Sequence, residues 1–183
     1  MKLIILDRDG VINEDSPAYI KSPAEWHPIA GSLEAIAKLK QAGYTVIVVT
    51  NQSGVGRGYF TLEDLDAMHH KMQQKLEKLG GKVDRIYFCS HTPDDNCDCR
   101  KPKIGMFKQI MHDYGIDLNG VINVGDSLRD IQAGQVVACR NILVLTGKGK
   151  RTRQENPKLD AEIFPDLAAA VDNLLQEINP TQK

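Results

Sequence analysis

The sequence lacks any marked excess of charge of either sign. Its 23 lysine and arginine residues face 24 aspartate and glutamate residues, which gives a formal net charge of −1. A basic face for nucleic acid needs a surplus of cations, so we expect no nucleic-acid partner. No apolar run approaches the roughly 20 residues of a membrane span. The first strand-like segment begins at Lys2 and leaves no room for a signal peptide. We therefore expect a soluble, cytoplasmic protein.

Cysteine is also scarce, with four residues in the chain. Without an export signal, these residues argue against a disulfide framework. Cys89, His91, Cys97 and Cys99 instead form a compact group in the sequence. Three thiols and an imidazole suit tetrahedral Zn²⁺, and four protein ligands leave no open position for catalysis. We predict a structural zinc that stabilises a polar loop; unligated buried cysteines or a redox pair are the alternatives. Cys139 lies outside the group and is expected in the core.

The pattern of the chain is an alternation of strands and helices, without internal repeats or low-complexity segments. Its 183 residues suit a single domain, residues 1–183. The predicted strands cover residues 2–6, 45–50, 83–88, 121–124, 142–145 and 160–164. The predicted helices lie between them, with Ser32, Thr61 and Asp166 as N-caps. This order predicts an α/β fold with a Rossmann-like parallel sheet and helices on both faces.

Two segments fall outside this alternation. Residues 13–28 contain Pro17, Pro23 and Pro28, which exclude a long helix, and the segment is too short for a large cap domain. The polar, basic residues 147–158 are expected to form a mobile, solvated loop.

The first strand ends in two carboxylates, Asp7 and Asp9, followed by Gly10. Alternate residues of an extended segment point to the same side, so the two carboxylates share a side while Arg8 points away. Such a pair suits a hard divalent cation, or a division of labour between a nucleophile and a proton carrier. A solvated strand end that caps a turn is the structural alternative.

Two other strand ends carry residues of the same kind. Thr50 and Asn51 end the second strand, and Asp126 follows the fourth, with Asp130 one turn later. The loop after the third strand supplies three cations, Arg100, Lys101 and Lys103. Because the carboxyl ends of parallel strands meet at one crevice, these side chains are expected to converge. Three acidic groups in one site require a cation, which predicts Mg²⁺.

A carboxylate nucleophile, a second carboxylate, a hydroxyl and a lysine beside Mg²⁺ suit phosphoryl transfer. Asp7 would attack phosphorus, and Asp9 would protonate the leaving alkoxide and then deprotonate the hydrolytic water. Each residue also has a structural alternative. Thr50 could simply end a strand, the lysines could be solvated, and Ser127 could cap a helix with Asp130 in its first turn.

Four segments carry the residues of this site: Asp7-x-Asp9-Gly10, Thr50-Asn51-Gln52-Ser53-Gly54, Arg100-Lys101-Pro102 and Gly125-Asp126-Ser127-x-x-Asp130. Together they resemble the four motifs of the haloacid dehalogenase (HAD)-like phosphatases, across nearly the whole chain. The resemblance implies an enzyme in which Asp7 is the nucleophile, Asp9 the acid and base, and Thr50 and Lys101 the phosphoryl stabilisers. It also implies Mg²⁺ held by Asp7, the Asp9 carbonyl and Asp126. Many relatives carry threonine where this chain has Val11.

The cysteine loop followed by Arg100-Lys101-Pro102 resembles, within that family, the capless heptose-1,7-bisphosphate 7-phosphatases. That resemblance implies a sugar bisphosphate phosphatase in the synthesis of activated heptose for lipopolysaccharide. Nothing in the sequence demands a dimer, so a monomer is expected. It implies substrate contacts from Arg100, which would bind a second phosphate, and from a set of loop residues: Asp15, Ser16, Tyr19, Thr50, Asn51, Gln52, Ser53 and Lys101. The loop is also similar to that of the histidinol-phosphate phosphatases, and a non-catalytic metal-binding module remains the alternative of another class.

Overall fold

The computed structural model describes residues 1–178; residues 179–183, the end of the predicted domain, lie outside the described part. Its strands are β1 (Lys2–Leu6), β2 (Tyr44–Asn51), β3 (Arg85–Cys89), β4 (Ile122–Gly125), β5 (Arg140–Val144) and β6 (Glu162–Phe164). Its helices are α1 (Ser32–Gln41), α2 (Ser53–Gly56), α3 (Leu62–Glu77), α4 (Gly105–Tyr114), α5 (Leu128–Val136), α6 (Gly149–Glu155) and α7 (Leu167–Ile178).

The six strands form one sheet in the order β3-β2-β1-β4-β5-β6, and every neighbouring pair is parallel. The chain moves outward from β1 to β3 and then crosses back to β4 on the other side of β1. A crevice opens where the direction of winding changes, beyond the carboxyl ends of β1 and β4. The predicted Rossmann-like parallel sheet is therefore confirmed, and the crevice lies where the site was expected.

The two faces of the sheet carry separate apolar clusters because side chains alternate along each strand. Ile4 and Leu6 of β1 pack with α1, α3 and α7, whereas Leu3 and Ile5 pack with α4 and α5. All four are at most 4% exposed. Full burial of such a side chain contributes about 1.5–3 kcal/mol. Helices therefore cover both faces of the sheet.

The segment between β1 and α1 contains no helix or strand longer than an isolated bridge among the described residues. It is nevertheless ordered against the core, since Trp26 is fully buried. Lys71 of α3 donates to the Trp26 carbonyl at 2.8 Å. This matches the expectation of an excursion without a large cap domain.

Two local predictions are wrong. Residues 147–158 were expected to be a mobile loop, but residues Gly149–Glu155 form α6. The helix is held by tertiary contacts, in which Thr152 Oγ1 donates to the Asp126 carbonyl at 2.9 Å. Ser32 is not an N-cap either, because its hydroxyl donates to the Ile12 carbonyl at 2.6 Å and Gly31 occupies the cap position.

The other two predicted caps are confirmed. Thr61 forms a reciprocal capping box with Asp64 at the start of α3. Asp166 accepts a hydrogen bond from the Ala169 amide at 2.8 Å in the first turn of α7. Among the described residues, no helix combines the length and apolar character needed to cross a bilayer.

Candidate active site

Asp7 and Asp9 lie directly beyond β1, at the centre of the sheet. The Asp7 amide donates to the Val124 carbonyl of β4 at 2.9 Å, which extends the sheet pairing and fixes the carboxylate over the crevice. Gly10 then turns the chain with φ +84°, and a Cβ at this position would collide with the Asp126 carboxylate. Residue 10 must therefore lack a side chain, because Asp126, which follows β4, lies directly against it.

The end of β2 supplies the polar side chains next to Asp9. Thr50 is buried, and its Oγ1 accepts a hydrogen bond at 2.9 Å from Gln52 Nε2. The same Gln52 nitrogen lies 2.7 Å from Asp9 Oδ2 and donates to it. Gln52 thus joins the two predicted catalytic groups, Thr50 and Asp9, into one hydrogen-bonded unit.

Lys101 is the buried cation of the site, only 3% exposed. Its Nζ lies 3.1 Å from Asp7 Oδ1 and 2.8 Å from Asp130 Oδ1, and it donates to the Val49 carbonyl at 2.6 Å. Lys103, the alternative motif lysine, is exposed and donates to Asn96 Oδ1 at 2.8 Å. The geometry therefore places Lys101, and not Lys103, beside Asp7.

The loop that carries Lys101 is joined to β2 through its backbone. Asn51 Oδ1 accepts from the Lys101 amide at 3.0 Å, and Asn51 Nδ2 donates to the Lys101 carbonyl at 3.1 Å. These two hydrogen bonds fix the position of the Lys101 backbone relative to the end of β2. Asn51 consequently supports the site through Lys101 as well as lining it.

Asp7, Asp126 and Asp130 form a buried cluster of carboxylates. One oxygen of each lies within 4.8 Å of the others. Burial, together with the neighbouring carboxylates, raises the pKa of Asp7 to about 6 and the pKa of Asp126 to about 8. Without a cation the cluster would retain protons near neutral pH. This donor set of hard oxygens fits a Mg²⁺ ion, whose charge would replace those protons.

Asp130 has a different role from the other two carboxylates. Burial opposes its ionisation, but the nearby Lys101 and Arg129 charges lower its pKa below the usual value. Its Oδ2 accepts from the Ser127 amide at 3.0 Å, so it closes a capping box at the start of α5. The structural alternative for Ser127 and Asp130 is therefore correct, and Asp130 also orients Lys101.

Asp9 has the opposite electrostatic environment to Asp7. Burial opposes its ionisation, but the Arg8 guanidinium and hydrogen bonds from Asn13 and Gln52 lower its pKa below the usual value. The pKa of Asp9 is therefore lowered, whereas burial and the neighbouring carboxylates raise the pKa of Asp7 to about 6. Two adjacent carboxyl groups with divergent pKa values are typical of a catalytic pair.

The crevice above these groups has a volume of about 230 Å³. Ten of the predicted site residues line it: Asp7, Asp9, Asp15, Ser16, Tyr19, Thr50, Asn51, Gln52, Ser53 and Arg100. Lys101 and Asp126 lie beneath its floor, in contact with or close to Asp7. All the residues predicted for the phosphatase site are thus brought together.

Three cations that line the crevice were not predicted, namely Arg57, Arg129 and Lys148. Arg129 lies within the fourth motif segment and Arg57 lies shortly after the second. Their charge was the signal that could have identified them. Lys148 lies in the segment interpreted as a solvated loop. Its Nζ instead pairs with Asp15 at 2.7 Å, and its amide donates to Asp126 Oδ2 at 2.7 Å.

The cysteine-rich loop brings its four predicted ligands together at a separate place, after β3. Cys99 Sγ lies 3.0 Å from Cys89 Sγ and 3.4 Å from Cys97 Sγ, and 3.3 Å from His91 Nδ1. A regular tetrahedron with zinc–sulfur bonds of about 2.3 Å spaces sulfurs about 3.8 Å apart. The observed cluster is slightly tighter than this and could hold a metal ion. Arg100 and Lys101 follow it directly, so the cluster anchors the loop that enters the crevice.

Comparisons with known proteins agree with this architecture. A family model described as HAD-hydrolase-like matches residues 98–170. The D-glycero-beta-D-manno-heptose-1,7-bisphosphate 7-phosphatase of Pseudomonas aeruginosa is 54% identical over 174 residues, which are 95% of this chain and 98% of that protein.

Solved structures give the same result. The D,D-heptose 1,7-bisphosphate phosphatase of B. bronchiseptica, complexed with magnesium and phosphate, superimposes with a TM-score of 0.95 at 52% identity, covering 97% of this chain and 99% of that one. The corresponding phosphatase of Burkholderia thailandensis has a TM-score of 0.75 at 43% identity, covering 96% and 99%. The chain therefore belongs to the HAD-like hydrolases, in the family of the heptose-1,7-bisphosphate 7-phosphatases.

Proposed function

We propose that this protein removes the 7-phosphate from D-glycero-D-manno-heptose 1,7-bisphosphate through an aspartyl-phosphate on Asp7. The observation that carries the proposal is the buried contact between Asp7 and Lys101, at 3.1 Å on the floor of a cation-lined crevice. The family membership supports the same reaction, since the relatives described above are named for it.

In the first step, an Asp7 oxygen forms a bond to phosphorus while the bond from phosphorus to the sugar oxygen breaks. Asp9 supplies the proton that the departing alkoxide takes up. Thr50 and Lys101 stabilise the phosphoryl oxygens. The entering phosphate is anionic and opposes the ionisation of Asp9, which makes protonated Asp9 more accessible in the complex than in the free protein.

In the second step, Asp9 accepts a proton from water as the water oxygen bonds to phosphorus. The Asp7–phosphorus bond then breaks, which releases inorganic phosphate and restores the Asp7 carboxylate. Asp9 is again protonated, so the two steps balance. Its depressed pKa favours the release of that proton to the next leaving group or to solvent.

The carboxylates of Asp7 and Asp126, with the carbonyl of Asp9, would hold Mg²⁺ in this site. When bound, the ion supplies charge neutralisation to the transferring phosphoryl group. Lys101 contributes positive charge beside Asp7, with its Nζ 3.1 Å from Asp7 Oδ1. Asp130 keeps that lysine in place through its 2.8 Å contact and is not needed as a ligand.

Arg100 would bind the phosphate that the reaction leaves in place, because a guanidinium fork matches a phosphate dianion. Its one described side-chain contact is a 3.4 Å hydrogen bond to the His91 carbonyl, and no carboxylate neutralises it among the described residues. The cationic amine of histidinol phosphate would be repelled there. Asp15, Ser16, Tyr19 and residues 50–53 would contact the sugar.

A structural Zn²⁺ on Cys89, His91, Cys97 and Cys99 completes the proposal. Soft thiolates favour zinc over Mg²⁺, and the four ligands fill a tetrahedral shell. Four free thiols also suit a reducing, cytoplasmic compartment. We further propose that the protein acts as a monomer with a single catalytic domain.

The test is phosphate release with Mg²⁺ from both anomers of the heptose bisphosphate, and from histidinol phosphate as the competing substrate. We expect faster turnover of the bisphosphate, and loss of at least about 10³-fold in kcat for Asp7→Asn. Preference for histidinol phosphate would overturn the substrate assignment. No release from any phosphate ester would favour a non-catalytic metal-binding module.

A further inference from the structure

Arg8 occupies the position between the two catalytic aspartates, yet its side chain is completely buried. The simple alternation of an extended segment predicted that it would point away from Asp9. Its guanidinium instead returns to that residue, with Nε 3.1 Å from Oδ1 and Nη2 2.9 Å from Oδ1. Nη2 also lies 3.1 Å from Oδ2. The buried Arg8 guanidinium therefore binds the Asp9 carboxylate through both Nε and Nη2.

The outer nitrogen of the same guanidinium faces a histidine. Arg8 Nη1 lies 3.3 Å from Nε2 of His69, which sits on α3 and is only 8% exposed. A guanidinium carries only donors, so Nε2 of His69 must be the acceptor. His69 is thus neutral in this contact, with its proton on Nδ1.

The surroundings of His69 agree with a neutral ring. Burial and the Arg8 charge lower the pKa of His69 to about 3. The ring packs beside Phe88 of β3, with centroids 6.3 Å apart. A protonated imidazole would place a second cation against Arg8, and no carboxylate in residues 1–178 pairs with the His69 ring. The three side chains therefore form an ordered chain from α3 to the crevice.

We propose that His69 and Arg8 are positioning residues that fix the orientation of the Asp9 carboxylate for proton transfer. His69 fixes the guanidinium plane by accepting from Nη1, and Arg8 then holds Asp9 through Nε and Nη2. Asn13 and Gln52 donate to the same carboxylate at 2.8 and 2.7 Å. Asp9 is held on several sides, with its side chain 22% exposed toward the crevice.

This inference rests on the proposed role of Asp9 as the acid and base, and it predicts a dependence on the leaving group. A sugar alkoxide needs a proton as it departs, whereas a nitrophenolate leaves without one. Loss of the orientation of Asp9 should therefore reduce kcat/KM more for a sugar phosphate than for a nitrophenyl phosphate. A general loss of folded protein would reduce both equally.

The experiment compares Arg8→Lys, His69→Leu and His69→Gln on the heptose bisphosphate and on para-nitrophenyl phosphate. Arg8→Lys keeps the charge but removes the fork. We expect its kcat/KM to fall about 10–100-fold further on the sugar ester than on the aryl ester. His69→Leu should show the same extra loss on the sugar ester, but to a smaller extent. His69→Gln, whose amide oxygen can accept from Arg8, should recover most of the wild-type kcat/KM on that ester. His70→Leu is the matched control, because His70 is exposed on the same helix.

A second measurement needs no variant. The imidazole nitrogens of His69 in the wild-type protein, observed by long-range ¹H–¹⁵N NMR at neutral pH, should show a protonated Nδ1 and a bare acceptor Nε2. Equal losses on both esters, or a protonated Nε2, would overturn the inference. Failure of the wild type on the heptose bisphosphate alone would instead overturn the proposed substrate, and another sugar phosphate would then serve in the comparison.

Discussion

At the scale of single residues, Lys101 and Lys103 provide a matched pair. They lie two positions apart in one loop, but only Lys101 is buried against Asp7 and Asp130. Lys101→Ala removes the cation beside Asp7, the proposed nucleophile, so we expect a loss of about 10²-fold or more in kcat. Lys103→Ala should remain within about 3-fold of the wild type, since surface ion pairs contribute little.

The measurement is steady-state phosphate release for both variants, with circular dichroism to confirm folding. Asp130 would lose its partner in Lys101→Ala, and a buried unpaired charge destabilises the fold. Lys101→Met, which keeps much of the volume, is therefore the second variant. A normal rate for both Lys101 variants, with loss in Lys103→Ala, would reverse the assignment of the motif lysine.

The raised pKa values of Asp7 and Asp126 lead to a second residue-scale prediction. Between their ordinary value of 3.8 and about 8, the two groups bind more protons in the native state than in the unfolded state. Their contribution to stability is thus greatest at low pH and is lost as the pH rises through about 6 and then 8. In Mg²⁺-free buffer, the titration of these two carboxyl groups should therefore make Tm fall as the pH rises from 5 to 8.

Mg²⁺ should act in the opposite direction, because it requires the ionised carboxylates. The increase in Tm on adding Mg²⁺ should therefore grow from pH 5 to pH 8. Asp126→Asn should flatten the pH dependence without Mg²⁺ and abolish the increase with it. A Mg²⁺ effect that is independent of pH, or that survives in Asp126→Asn, would contradict the proposed ion site. Scanning calorimetry of protein purified without chelators measures both the pH dependence of Tm and the increase in Tm caused by Mg²⁺.

At the scale of elements, the cysteine-rich loop connects the four proposed zinc ligands to the segment that enters the crevice. Cys97→Ser removes one proposed zinc ligand from the segment that delivers Arg100 and Lys101. We expect lower zinc content, a lower Tm and at least about a 10-fold loss of kcat/KM. Cys139→Ser is the control, since Cys139 lies outside the cluster, with Sγ 3.5 Å from the Leu118 carbonyl.

Zinc content is measured by mass spectrometry of the purified protein, beside phosphate release and thermal unfolding. A wild-type protein without bound zinc would contradict the ligand assignment. If Cys97→Ser loses zinc but its turnover is unchanged, the zinc-ligand assignment would stand, and the proposed effect of the zinc site on the crevice would be wrong.

The turn that leads into α6 gives a second element-scale prediction. Gly147 has φ +53°, and a Cβ there would collide with the Asp126 carboxylate and the Gly10 backbone. Gly120 has φ +73° with no atom near its Cβ direction. Alanine at either position costs about 1–2 kcal/mol for the left-handed conformation. Gly147→Ala alone should also displace Asp126 and weaken Mg²⁺ activation by about 10-fold or more.

The comparison of the two glycine variants separates backbone strain from the local collision. Mg²⁺ titrations of activity give the activation constant, and denaturant unfolding gives the stability change. Equal Mg²⁺ activation in Gly147→Ala and Gly120→Ala would show that the close approach of this turn to Asp126 is unimportant.

At the scale of the whole molecule, the fold could be predicted from the sequence because each strand has a local signal. The apolar β-branched run at 45–50 and the helical spacing in α3 depend on nearby residues only. The strand-end rule then places Asp7, Thr50 and Asp126 together without knowledge of any contact. The site residues come together because the strands of a parallel sheet all end at the same edge.

What the sequence did not predict depends on contacts between distant segments. Helix α6 is short and polar, and its order comes from hydrogen bonds between residues 148 and 152 and Asp126. The burial of Arg8 depends on the placement of α3 against β1. Ser32 has the composition of a cap, but a distant carbonyl at Ile12 takes its hydroxyl. The local sequence pattern does not show which distant residues will contact these side chains.

The most direct test of the central claim is to trap the phosphorylated enzyme during turnover. Rapid acid quench with the heptose bisphosphate, followed by borohydride reduction and peptide mass spectrometry, converts an acyl-phosphate aspartate to homoserine. We predict this change at Asp7 and at no other carboxylate, and its absence when substrate is omitted. Modification at Asp9 or Asp126, or turnover with no modified carboxylate at any quench time, would contradict the account.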